Sequence, residues 1–392
     1  MTRIAIIGAG AAGCFCASLL RKWVPQAQIT VYEAGAKPMA KLAITGGGRC
    51  NLTNSFEGIR SLSEAYPRGE RVMKRALKAF SQEDTIAWFT ASGVPCVLQE
   101  DHCWFPRSQD AMDVVRCLSR AMQGAEIKLR TPVSNLRSLM PHFDAVVVTT
   151  GGAPKGLPFL EGLDLELVPP VPSLFTFTVN DAALNALTGL VVEARLSIPG
   201  TSFAAQGPLL ITDWGFSGPA TLKLSSYAAR YLAEQAYRAP LLVNWLGMAQ
   251  DAVREFLLTS ARENPQKMVR STHGPLPARL WEMLVKKAGL REDLRWAELG
   301  SKGLNKLVAV LSQDEYAIAG KSRFRDEFVT AGGVALSNID LGTLESKRHP
   351  GLYFAGEVLD IDAITGGFNL QAAWSTAYLC AKSIAANINS KK

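Results

Sequence analysis

Gly8-Ala9-Gly10-Ala11-Ala12-Gly13 sets three glycines in a G-x-G-x-x-G spacing between a β-branched run, Arg3 to Ile7, and small residues leading to Leu19 and Leu20. Strand, glycine turn, then helix is the opening of a doubly wound α/β fold. Ile29 to Tyr32 reads as the next strand and runs into Glu33, 20 residues after Gly13. The spacing suits a dinucleotide. Gly8 permits the turn, Gly10 lets the backbone approach a pyrophosphate, and Gly13 brings helix against strand, while the helix N-terminus at Ala11 and Ala12 favours phosphate charge. Glu33 would accept hydrogen bonds from the adenosine ribose, and its charge disfavours a 2′-phosphate there. Tight turns use glycine without a ligand too, but strand, turn, helix, strand and acid within about 30 residues favour the dinucleotide.

Two further glycine clusters bear on which dinucleotide. Gly351 to Glu357 reads as a strand entering a glycine turn, and Gly366-Gly367-Phe368-Asn369-Leu370-Gln371 opens a long helix expected to reach about Asn387. Glycine-exposed amides at a helix N-terminus suit developing negative charge, such as that at the N1–C2 edge of a reduced flavin. Thr45-Gly46-Gly47-Gly48-Arg49-Cys50-Asn51 adds a flexible backbone with several donors.

Between these ends, Arg71 to Ser92 reads as helical, and Ser108 or Asp110 could cap a helix running to about Gln123. Ala145 to Thr149 is a buried-type strand closed by Thr150-Gly151-Gly152. Beyond Pro169 the texture changes: Leu174 to Val179, Val191 to Ile198 and Leu209 to Thr212 read as antiparallel strands, and Leu241 to Leu311 as mostly helical. The expected fold class is α/β, one nucleotide-binding domain made from both ends of the chain and interrupted by an insert.

With these motifs in hand, the sequence resembles the FAD-binding flavoproteins labelled aminoacetone-oxidase-like or BaiN/RdsA-like. The matching elements are Ile6 to Gly13 with Glu33, Lys41 through Asn54, Phe105-Pro106, Thr150-Gly151-Gly152, Gly215 to Pro219, Thr330 to Val334, and Gly351 through Gln371. The resemblance implies a discontinuous Rossmann-like FAD-binding domain over 1–170 and 330–392. It also implies an inserted β-barrel-like domain over 171–240 and 305–329, and a small helical subdomain over 241–304. FAD is the cofactor it implies, with contacts at Lys41, at Gly46, Gly47, Gly48, Arg49, Cys50 and Asn51, at Gly151 and Gly152, at Gly356 and Glu357, and at Gly367, Phe368, Asn369, Leu370 and Gln371. Val133 is the expected adenine contact.

The sequence departs from the family pattern at four places. Asp213 stands where relatives often carry His, Ala363 where glycine is common, Phe368 where Tyr is usual, and Thr131 to Phe143 is short for the usual hairpin.

The expected function is an FAD-dependent oxidoreductase passing hydride between a small organic substrate and flavin N5. The alternatives are an NAD(P)H-dependent reductase of an activated alkene, or a non-catalytic flavin module that binds RNA or protein. No catalytic side chain stands out. A second dinucleotide fingerprint is missing, so either NAD(P)H docks transiently at the flavin face, or the flavin is reduced by its substrate and reoxidised by oxygen. Arg49 would hold an anion or a loop salt bridge, and Cys50 lacks a C-x-x-C partner for redox work.

Composition narrows the classes. Lys and Arg number 42 against 35 Asp and Glu, a net charge of +7. No run of five like charges appears, which weighs against nucleic acid. The seven scattered cysteines fit a reducing cytoplasm, and the four histidines have no metal spacing. The uncharged stretches Ile4 to Leu20 and Ile364 to Ala381 contain too many small or polar residues for membrane helices.

Overall fold

The computed structural model describes residues 1–153, 155–272, 274–321 and 329–390. The chain divides into two compact units, Met1–Pro172 with Val329–Lys392, and Ser173–Phe328.

The first unit is built on a five-stranded parallel sheet in the order Leu352–Phe354, Ala145–Val148, Arg3–Ile7, Gln28–Tyr32, Glu126–Lys128. Ile4 to Ile7 and Val146 to Val148 are buried along their whole length, as strands covered on both faces must be. Helix Ala11–Trp23 packs against the closing helix Phe368–Ser390. The aromatic pair Phe15 and Trp374 meets between them, with ring centroids 5.4 Å apart. A three-stranded antiparallel sheet, Thr53–Asn54, Cys103–Pro106 and Cys96–Leu98, supports the glycine loop. Strand Leu167–Ser173 pairs with Val329–Val334.

The second unit holds a closed antiparallel barrel ordered Val191–Ser197, Ala204–Thr212, Gly215–Ser217, Phe177–Val179, Asp314–Lys321, Ala239–Asn244. Burial alternates along Val191–Ser197 with the period of two that a one-sided strand requires. Helices Gln250–Glu263, Ala278–Lys287 and Gly300–Ser312 lie between the last two barrel strands in sequence. The Rossmann-like sheet, the inserted barrel and the helices are therefore all present.

Several element expectations need correction. Arg71 to Ser92 is two helices, Glu70–Ala79 and Gln82–Ala91, because Phe80 is extended and Ser81 forms a capping box with Asp84 that restarts the helix. Leu241 to Leu311 is not helical at its start, since Ala239–Asn244 is a barrel strand. Leu174 to Val179 shortens to Phe177–Val179, with Leu174 at φ 57°. Strand Leu167–Ser173 escapes notice because its three prolines read as a breaker, yet an edge strand tolerates them. Thr131 to Phe143 contains a helical turn, Leu136–Leu139, followed by a 3-10 turn, Met140–His142. Asp110 caps helix Ala111–Ala121 through the Met112 amide.

Candidate functional site

The first strand delivers Gly8 at φ 106°, where a Cβ would sit 2.6 Å from the Thr149 carbonyl oxygen. At Gly13 a Cβ would come within 2.0 Å of the Gly8 oxygen, so helix and strand touch there as the motif demands. Thr149 Oγ1 is 2.8 Å from the Gly8 oxygen and 3.0 Å from that of Ile7, tying the neighbouring strand to the turn. Gly10 differs from both: nothing lies within 4 Å of where its Cβ would be. Helix Ala11–Trp23 begins at Gly10 with no side-chain cap and no acid in its first turn. The amides of Ala11, Ala12 and Gly13 thus open, without an intrahelical acceptor, onto a space that suits a pyrophosphate.

Glu33 braces the same turn. Its Oε2 accepts from the Ala9 amide at 2.8 Å and its Oε1 from the Gly35 amide at 2.6 Å. A carboxylate has about four lone-pair sites, so two remain for a ribose. The amide of Thr131 bonds the Glu33 carbonyl at 2.8 Å, which brings half-buried Val133 beside this strand end. Exposed Lys41 lies on the short helix Ala40–Ile44, tied to the phosphate turn by Met39 N to Ala9 O at 2.7 Å.

Gly46, Gly47 and Gly48 all have positive φ, and at the last two a side chain would meet nothing within 4 Å. Arg49 follows with its guanidinium 4.5 Å over the Phe105 ring and its Nε donating to the Gly46 oxygen at 3.3 Å. It has no ion pair among the described residues, so no loop salt bridge forms there. Cys50 is fully buried, and burial pushes its thiol far up. The Asn51 carboxamide, oriented to satisfy both neighbours, donates to the Thr53 oxygen at 3.0 Å and accepts from the Gly367 amide at 3.2 Å. A Cβ on Gly367 would fall 2.5 Å from the Asn51 carboxamide and 2.6 Å from the Thr53 carbonyl oxygen, so the two glycine motifs interlock closely.

On the closing side, Gly356 donates to Thr376 Oγ1 at 2.9 Å and Glu357 Oε1 accepts from the Thr330 amide at 2.8 Å. Gly152 has a Cβ position only 2.5 Å from Glu357 Oε1, so Gly151 and Gly152 abut this turn. Gly151, Leu157, Pro169, Gly333 and Glu357 line a mostly apolar cavity of about 190 Å³. Phe368 packs edge-on to Tyr66 and Phe56, and the Tyr66 hydroxyl donates to the Phe368 oxygen at 3.0 Å. Asn369 closes a ring of two bonds with the backbone of Ala363, and Leu370 is half-buried.

Gln371 is wholly buried, with its side chain bonded to Thr53, Thr85 and Ser375 and its amide to the Gly367 oxygen. These bonds give it a positioning role inside the protein. Sequence reasoning misses Thr149, Thr53, Tyr66 and the buried pair Arg68 with Asp362. None carries a spacing signal, because each partner lies far away in the chain.

Among the described residues no three His, Cys, Asp or Glu side chains are grouped to hold a metal, and no helix is long and apolar enough to cross a membrane.

An uncapped helix at a glycine turn, an acid at the second strand and a second glycine-opened helix define a dinucleotide-binding flavoprotein of the Rossmann class. The chain belongs to the family described as HI0933-like protein Rossmann domain, which matches residues 2–383. FAD is its cofactor, and the chain is a flavin oxidoreductase, as its BaiN/RdsA-like resemblance implies. It is 31% identical over 97% of both chains to the Haemophilus influenzae ribosomal RNA dihydrouridine synthase. It is 29% identical, over 97% of both, to the Escherichia coli protein of the same name. It is 27% identical to the Clostridium scindens 3-dehydro-bile acid delta(4,6)-reductase, over 98% of this chain and 99% of that one.

Proposed function

We propose that this flavin oxidoreductase works as a reductase of a carbon–carbon double bond conjugated to a carbonyl, and that its substrate is a uridine base in RNA. Dihydrouridine is uridine with two hydrogens added across C5=C6, a bond conjugated to the C4 carbonyl. The names of all three relatives describe saturation of such a ring bond, and the RNA-directed pair are the more similar, 31% and 29% identical to this chain against 27%. The RNA part departs from the expectation set by the charge pattern.

The observation that carries the reading is the full-length likeness to the RNA-directed pair. The Asn51 to Gly367 bond, which holds two glycine-rich backbones side by side, supports its flavin part. Bound FAD would supply the hydride at N5, and the second hydrogen would arrive as a proton from solvent. The chain's own residues do the rest. Ala11 to Gly13 receive the pyrophosphate on free amides, and Glu33 receives the ribose. The amides at the start of helix Phe368–Ser390 would stabilise negative charge on a reduced flavin bound there. Cys50, being neutral, adds no competing negative charge beside the loop. NAD(P)H is the proposed electron donor and docks only while it reacts.

An anaerobic titration tests this. NADH or NADPH should bleach the yellow protein, and unmodified uridine-containing RNA should restore the colour while losing base absorbance. Bleaching by amines with reoxidation by oxygen alone would overturn the reductive reading.

A further inference from the structure

We infer that the outward face of helix Glu70–Ala79 is the surface that docks the sugar-phosphate backbone of the RNA, an inference that rests on the RNA reading above. Arg71, Lys74, Arg75 and Lys78 stand at positions i, i+3, i+4 and i+7 and are all exposed. That spacing puts four cations in one stripe about 10 Å long. The helix has one acid, Glu70, at its first residue. Arg71, Lys74 and Lys78 have no ion-pair partner among the described residues, and Arg75 has Asp340 nearby, whose carboxyl is held low first by the Gly342 amide. Like charges one turn apart repel, so a stripe this uniform is unfavourable to the free helix and fits a polyanion.

The opposite face argues against a membrane as the occupant. Val72, Met73 and Ala76 are fully buried, and the helix packs there on the closing helix, so no apolar surface is left to insert into lipid. The stripe is also fixed to the flavin end of the unit. Arg68, three residues before Arg71, pairs with buried Asp362 through both side chain and backbone. A Cβ on Gly69, at φ 87°, would meet the Ile361 side chain at 2.7 Å, so the helix start lies directly against the segment before Gly366. Phosphates held on this stripe would set the register of the strand without reading its sequence.

The test measures binding of fluorescein-labelled oligouridine to the FAD-loaded protein across a salt series. Replacing Arg71, Lys74, Arg75 and Lys78 together by Gln should weaken binding at least tenfold at about 0.1 M salt and make the log–log salt slope shallower by about 3. A milder Lys74→Gln/Lys78→Gln variant should lose about half of that slope. The control removes the same charge elsewhere, at exposed Lys267, Lys286, Lys302 and Lys306. It should bind as the unaltered protein does. Equal weakening by both sets, or none by the first, overturns the docking surface and leaves the RNA reading standing. An unaltered protein that ignores oligouridine and binds phosphatidylserine vesicles overturns both.

Discussion

The hydroxyl of Thr53 donates to the side-chain oxygen of Gln371 at 2.6 Å, joining residues 318 positions apart in the chain. Together with the Asn51 to Gly367 bond it converts two glycine motifs from opposite ends of the sequence into one cradle. Gln371 Oε1 also accepts from Thr85 at 2.9 Å, and its Nε2 donates to Ser375 at 2.8 Å, so its orientation is fully determined. The closing helix is thereby fixed in rotation as well as in place.

Gln371→Leu keeps the volume and removes both acceptor and donor. The Thr53 hydroxyl then loses its partner in a site with no exposure, a cost of about 1–3 kcal/mol. Thr85 suffers less, because it also reaches the Ser81 oxygen at 3.1 Å. Urea unfolding should show a lower midpoint with unchanged slope, and the variant should release FAD on dilution. An unaltered midpoint would show that the bond is replaced without loss.

Gly10 and Gly13 make a contrasting pair. A side chain at Gly13 would collide with backbone, so Gly13→Ala should express poorly or unfold early. At Gly10 the same atom meets open space, and φ is −84°, so Gly10→Val should fold with its melting temperature in the apo form intact. Its side chain would occupy the pyrophosphate space, and FAD affinity should fall by about a hundredfold or more, some 3 kcal/mol. Fluorescence of released flavin measures it. Tight FAD binding by Gly10→Val would place the pyrophosphate elsewhere.

The first cradle is legible in the sequence because its parts are local: Gly8, Gly10, Gly13 and Glu33 lie within one β-α-β unit whose hydrogen bonds are dictated by the turn. The second is legible only as motifs. Nothing in Gly46 to Asn51 says that its carboxamide will meet Gly367, since that contact depends on how the sheet returns after the insert. The barrel strand Ala239–Asn244 was hidden by the helices that follow it, and Leu167–Ser173 by its prolines. The basic stripe is hard to read from sequence for a related reason. A search for runs of five like charges finds none in Arg71 to Lys78, although a period of 3.6 aligns four cations there.

Burial pushes the thiols of Cys14 and Cys16 up to about 12, with the Glu33 charge adding to the effect at Cys14. Below about pH 9 these thiols are protonated in both folded and unfolded chains. As pH rises above 9 the unfolded thiols ionise while the folded ones keep their protons, so stability falls at about 1.4 kcal/mol per pH unit for each thiol. Cys16→Ala should make that alkaline decline shallower by about this amount, read from urea unfolding at several pH values. At neutral pH an aromatic disulfide reagent should reach Cys96 first, the one cysteine that is not fully buried. Rapid labelling of Cys14 or Cys16 in the native protein would contradict their burial.

Arg68 and Asp362 form a bidentate pair in which the carboxylate is completely buried and the guanidinium nearly so. Such a pair contributes little net stability over apolar replacements, yet losing one partner is costly because the other charge stays behind. Arg68→Met should therefore destabilise the protein by about 3–5 kcal/mol, and Arg68→Met/Asp362→Leu should recover most of the loss. The pair also anchors the start of helix Glu70–Ala79, so the single variant should weaken oligouridine binding while its four stripe cations remain. The double variant, with the apolar contact in place of the ion pair, should bind RNA nearly as the unaltered protein does. Thermal melts and the same salt series read both effects. A double variant as unstable as the single one would mean that the Arg68–Asp362 backbone bridge fails without the ion pair.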